Sequence, residues 1–145
     1  MDELEQILKK AQADTFAFYL KAHYFHWNVE GVDFSQYHSF LKNLYEEVFA
    51  AVDTIAEGIR TLDVYVPGSF TRFKELSSIQ DETTIPGAIS MIARLKDDNE
   101  KVLDTLIKAY ELAEEAKKYG ISNLIQDRIQ AHEKHGWMLR SIIKA

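Results

Sequence analysis

Cysteine is absent from these 145 residues, proline occurs twice and glycine six times. Without thiols, thiolate metal sites, disulfide frameworks and cysteine nucleophiles are excluded, so any metal must bind nitrogen and oxygen. Clustered positive charge is missing too. Seventeen Lys and Arg are scattered among twenty-three Asp and Glu, for a formal net charge of −6, which argues against broad nucleic-acid binding because phosphate contacts draw on clustered cations. Neither terminus carries a basic arm, the chain opening MDELEQ and closing MLRSIIKA. No apolar run approaches the length of a membrane span and no basic-apolar leader opens the chain, so a soluble, cytoplasmic protein with no membrane partner is expected. The length fits one domain, residues 1–145, with a core large enough to stand without covalent help.

The scarce helix breakers fall mostly at Gly31, Pro67-Gly68, Pro86-Gly87 and Gly120. They divide the chain into four long segments, roughly 2–29, 33–64, 87–118 and 121–144, each with helical apolar spacing. In the second, Leu41, Leu44, Val48, Val52, Ile55, Ile59 and Leu62 recur at three and four. Asp33 with Gln36 resembles a capping box for that helix, and Thr84 is a candidate cap for the third. Four such helices with no period-two alternation predict an all-α four-helix bundle. The first pair and the last pair are joined by a few residues and should form antiparallel hairpins. Residues 65–86 are too long for that and predict a crossover along the bundle, the ferritin-like arrangement, with a short helix of its own in SFTRFKELSS.

Bundles of this kind often hold two metals internally through Glu-x-x-His motifs, and this chain contains none. The second helix offers another arrangement. At about 100° per residue the core repeat occupies one arc, while His38, Lys42, Phe49, Asp53 and Glu57 share a neighbouring face. Asp53 and Glu57, four apart, can reach one ion, but His38 lies about 22 Å from Asp53 along the axis. An antiparallel two-fold mate removes the difficulty by bringing the His38 end of one subunit to the Asp53 and Glu57 end of the other. Two equivalent sites per homodimer follow, with His26 a short turn away and placed to join His38. Tyr45, Phe49 and Ala56 are candidates for the apolar contact around the two-fold. Two imidazoles and two carboxylates suit iron, manganese or zinc.

These residues carry a family resemblance. HWNVEG, the spaced His38, DTIAEGIRTL, YVPGSF and the final HEKHGWMLR resemble the Dps proteins, mini-ferritins of the ferritin-like superfamily, nearly end to end. The resemblance implies a twelve-subunit cage that oxidises Fe(II) with peroxide or oxygen and stores ferric iron. His26 and His38 would come from one subunit and Asp53 and Glu57 from its two-fold partner, Glu57 being the bridging or shared ligand. One departure stands out: the family usually has an aspartate four residues after the second histidine, and this chain has Lys42. An ammonium does not ligate while protonated and repels a neighbouring cation. Lys42 therefore modifies the second metal position, which is expected to be weak, absent or filled by the ammonium itself, while His26, Asp53 and Glu57 keep the higher-affinity one. An alternative reading is a structural Dps-fold shell with weak or lost ferroxidase activity.

The resemblance also makes Glu46 and Glu47 candidates for seeding mineral, which read equally well as solvated helix charges. Trp27 and Trp137 read first as packing or interface residues. His23, His132 and His135 read as polar surface or packing residues, Arg60 as a partner for Glu57, and the acidic stretch around Tyr110, Glu111, Glu114 and Glu115 as solvated. DNA binding, after which the family is named, is not expected of an acidic chain without a basic arm.

Overall fold

The computed structural model describes residues 2–144. Among them are five helices: α1 (Asp2–Asn28), α2 (Phe34–Arg60), the short α3 (Phe70–Leu76), α4 (Ala88–Glu115) and α5 (Tyr119–Ile143). The four long helices form the bundle anticipated from the breaker pattern. α1 packs along α2 and α4, α4 along α5, and α2 more lightly on α5.

Apolar residues at three and four spacing turn inward from every long helix. Phe18 and Phe25 of α1, Leu41 and Ile55 of α2, Leu95 and Leu106 of α4, and Ile125 of α5 are all buried in one continuous core. Each such side chain contributes about 1.5–3 kcal/mol by leaving water. The α1–α2 turn is made at Gly31, whose φ of +118° strains any L side chain. It closes through the Phe34 amide, which donates to the Gly31 carbonyl at 3.2 Å.

The expected caps differ from those observed. Asp33 is the residue before α2, but at φ −102° and ψ 33° its side chain makes no cap bond; an extended N-cap is needed to turn the carboxylate back on the helix amides. Thr84 lies short of α4, whose N-cap is Gly87, and its hydroxyl donates to Glu82 at 2.7 Å instead. The short helix in the crossover does have a side-chain cap, Ser69 accepting from the Arg72 amide at 3.2 Å.

The crossover is pinned by Asp14, which is fully buried on α1. Its carboxylate accepts from Thr105 of α4 at 2.7 Å, from the Ser77 hydroxyl at 2.9 Å and from the Ser78 amide at 2.7 Å. A buried carboxylate is tolerable only when donors surround it in this way. Phe73 of α3 adds an apolar hold by stacking on Phe16 at 4.7 Å.

Candidate metal centre

The end of α1 and the start of α2 meet through their histidines. His26 Nδ1 lies 2.8 Å from the His38 carbonyl oxygen, and His38 Nδ1 lies 2.9 Å from the His26 carbonyl oxygen. A carbonyl only accepts, so each Nδ1 carries a proton and donates. Nε2 is therefore the nitrogen on which each ring carries its lone pair in the neutral form, the form a metal needs. The rings stack at 3.8 Å and 17°, so the two imidazoles form one compact unit. Phe34 backs the His38 ring at 4.9 Å. His26 is 8% exposed and His38 half-buried, a pair fixed on its backbone side and open on the other.

Asp53 and Glu57 are exposed on α2, and neither forms a salt bridge among the described residues. The structure brings His26 to His38 and keeps Asp53 beside Glu57, but it does not bring one pair to the other within a subunit. Among the described residues no three His, Asp or Glu side chains of one chain converge on a point. On the intervening face Phe49 is 56% exposed, and nearby Trp27 is 60% exposed, large apolar surface of the kind that marks an interface.

Lys42 is exposed, and its ammonium makes only a 3.8 Å approach to Glu46 one turn on. A pair this long and this solvated is worth at most about 0.5 kcal/mol. The Lys42 ammonium is thus free to move. Arg60 turns away from Glu57, donating to the Val64 carbonyl at 3.0 Å and covering the Tyr65 ring.

Glu47 differs sharply from Glu46. It is held by Arg128 of α5 at 2.5 Å and 3.1 Å, one bond to each oxygen, and by His135 at 2.6 Å. Burial raises its carboxyl, but the hydrogen bonds and charge of His135 and Arg128 outweigh it and hold the group far below the usual carboxylate range. Glu47 is therefore a permanent anion already committed inside its own subunit, which leaves Glu46 as the solvated member of the pair.

The network continues inward. Arg128 also donates to His132 Nε2 at 3.1 Å, and His132 Nδ1 lies 2.8 Å from Asn99 Oδ1. Asn99 Nδ2 donates to the His132 carbonyl at 2.9 Å, which orients the amide and makes Nδ1 the protonated nitrogen of a neutral ring. Burial first, then the Arg128 charge, pushes the His132 pKa well below its ordinary value. On the far side Lys21 and Asp98 form a buried ion pair at 2.8 Å. Burial raises the Asp98 carboxyl and the Lys21 ammonium opposes it. Internal ion pairs thus occupy the bundle interior. His132 and His135 are both buried rather than on the surface.

His23 is the residue next to the centre whose position the sequence reading understated. One turn before His26, it stacks on Tyr45 at 3.7 Å and 11°, packs on Trp27 at 4.1 Å, and lies 6.0 Å from the His26 ring. Its Nδ1 is 2.9 Å from the Tyr19 hydroxyl. Burial and then the nearby His26 lower its pKa, while burial and then Tyr45 raise that of Tyr19. The helical spacing of Tyr19, His23 and Trp27 was the available signal.

A Ferritin-like domain model matches residues 5–145. The chain is 34% identical over 139 residues to antigen TpF1 of Treponema pallidum, spanning 95% of this chain and 78% of that one. It is 32% identical over 138 residues to DNA protection during starvation protein 2 of Bacillus anthracis, spanning 95% and 94%. Among solved structures, antigen TpF1 superposes with a TM-score of 0.95 over 99% of this chain and 93% of that one, at 32% identity. The DPS protein from Vibrio cholerae, described as one of the ferritin-like diiron-carboxylate proteins, gives 0.94 over 99% and 90%, at 29% identity.

Proposed function

Because the chain belongs to the Dps family of ferritin-like proteins, we propose that it is an iron-handling mini-ferritin that binds and oxidises Fe(II) at two-fold interfaces of a homo-oligomeric cage. Iron is the substrate. The observation that carries this reading is the reciprocal histidine latch of His26 and His38, in which the Nδ1 of each ring donates to the other's carbonyl and Nε2 is left as the nitrogen each ring can offer a metal. The partner subunit completes the set with an unpaired Asp53 and Glu57.

Each residue then has a definite part. Both imidazoles donate lone pairs, the carboxylates neutralise the cation, and Glu57 is the shared ligand. Rings already held in this tautomer and orientation need no rearrangement to present Nε2. Peroxide or oxygen accepts the electrons, and the cage stores the ferric product, with Glu46 available to seed it. Zinc and manganese suit the same nitrogen and oxygen donors. Lys42 weakens the second metal position, and in the second reading its mobile ammonium pairs with the partner's carboxylates and leaves a shell with little oxidation.

Mixed dimers test the sharing of ligands between subunits. Chains carrying His26→Ala with His38→Ala, and chains carrying Asp53→Asn with Glu57→Gln, should each bind no interfacial iron. Random mixing makes half the dimers mixed, each with one complete site, so about a quarter of the sites should return. No recovery in assembled mixed oligomers would rule out ligands shared in this way.

A further inference from the structure

The geometry points to Tyr19 and His23 as a proton-coupled electron donor that supplies the second electron when peroxide meets a site holding one iron. This rests on the metal site proposed above and adds a residue pair that touches no metal.

Oxidising a phenol at ordinary potentials requires its proton to leave with the electron, so a tyrosine serves only if a base faces its hydroxyl. Tyr19 has one, the His23 imidazole at 2.9 Å. The other tyrosines nearby do not. The Tyr24 hydroxyl donates to the Thr84 carbonyl, and an amide oxygen does not hold a full proton. The Tyr45 hydroxyl has no hydrogen bond among the described residues. The ring path is short: Tyr19 lies 6.2 Å from Tyr45, and Tyr45 lies 5.1 Å from His26, the metal-facing imidazole.

The need arises from stoichiometry. Peroxide takes up two electrons and two protons to give two waters, while one Fe(II) yields one electron. Without a second donor at hand the other product is a hydroxyl radical. Here Tyr19 gives that electron, and its phenolic proton crosses to His23 Nδ1. After His23 has passed the proton on, one Fe(II), one peroxide, the Tyr19 phenol and one solvent proton have become one Fe(III), two waters and a neutral Tyr19 phenoxyl. A second Fe(II) with a proton restores the phenol. Two irons are thereby oxidised per peroxide at a site that never holds two together.

The test has two arms on the assembled protein. In the first, the metal-free oligomer is oxidised by photogenerated tris(bipyridyl)ruthenium(III) and the radical followed by electron paramagnetic resonance. In the second, one Fe(II) per site is loaded anaerobically, one equivalent of peroxide is added, and radical and ferric iron are read together. A tyrosyl signal is expected in both arms, lost in Tyr19→Phe, retained in Tyr45→Phe, and slowed with its solvent isotope effect altered in His23→Leu. Tyr19→Phe removes only a hydroxyl, so it keeps the packing. A signal unchanged in Tyr19→Phe, or equally fast in His23→Leu, overturns the assignment in the first arm without reference to iron. Ferric iron without a radical in the second arm overturns the inference alone. No ferric iron there defeats the metal-site reading and, with it, this role in peroxide reduction.

Discussion

Unfolding puts on His132 a proton that the folded protein excludes. The ring is fully buried, its Nδ1 proton is given to Asn99 and its Nε2 lone pair receives Arg128. A second proton would set an N–H against a guanidinium that never loses its charge. The folded pKa is accordingly depressed, by burial first and then by Arg128. For a histidine lowered in this way the stability is fully present above the unfolded value of about 6.5 and is lost as pH falls from there toward the folded value. One proton taken up on unfolding gives a limiting slope of about 1.4 kcal/mol per pH unit. Glu47 does not mask the effect, because a carboxylate held far below its usual range begins to lose stability only below pH ~4.5, where unfolded carboxylates protonate. Denaturant unfolding from pH 7.5 to 5, at one protein concentration, should show a wild-type slope that includes this proton beside the contributions of His23, also lowered, and Asp98, raised. His132→Gln cannot titrate, and its slope should be smaller by about one proton's worth. Equal slopes in the two proteins would refute the neutral, excluded histidine.

Three further outcomes follow from the same contacts. Gly136→Ala would place its Cβ 2.9 Å from Asn99 Nδ2 and 3.0 Å from Arg140; because Asn99 is tied to His132 at both ends, overpacking of about 1–3 kcal/mol should outweigh roughly 1 kcal/mol of helix propensity, read as a lowered midpoint in urea. Lys42→Asp should raise iron bound per interfacial site from one toward two in an anaerobic titration, and an unchanged count would remove Lys42 from the account. Metal-free oligomer should leave plasmid DNA unretarded at physiological salt, given a net charge of −6; retardation would contradict the charge argument.

The bundle was legible because breakers and periodicity act locally. Gly31 and Pro86-Gly87 mark helix limits, and the stripe from Leu41 through Ile59 is buried as its spacing requires, with Val52 half-buried beside it. The noncore face of α2 was legible for the same reason, since helical angle alone separates His38, Asp53 and Glu57 from the core. Caps were less so. Asp33 has the right side chain but the wrong backbone angles, and residue type does not determine those. The buried polar network escaped for a different reason: Glu47 meets Arg128 and His135 across 81 and 88 residues of sequence, and no local pattern encodes such a meeting. A trace of it was present, because Arg128, His132 and His135 interrupt the buried stripe of α5 between Ile125 and Leu139 at core spacing. Polar residues in a core stripe must be satisfied inside, so a partner such as Glu47 was to be sought.

The measurement that bears most directly on the central claim is an anaerobic Fe(II) titration of the metal-free, assembled protein, followed by peroxide while ferric iron is recorded. The account predicts one tightly bound iron per interfacial site, two per dimer, oxidised on peroxide addition and lost in both His26→Ala and Glu57→Gln. Specific binding that survives both substitutions, or none in the wild type, would contradict it.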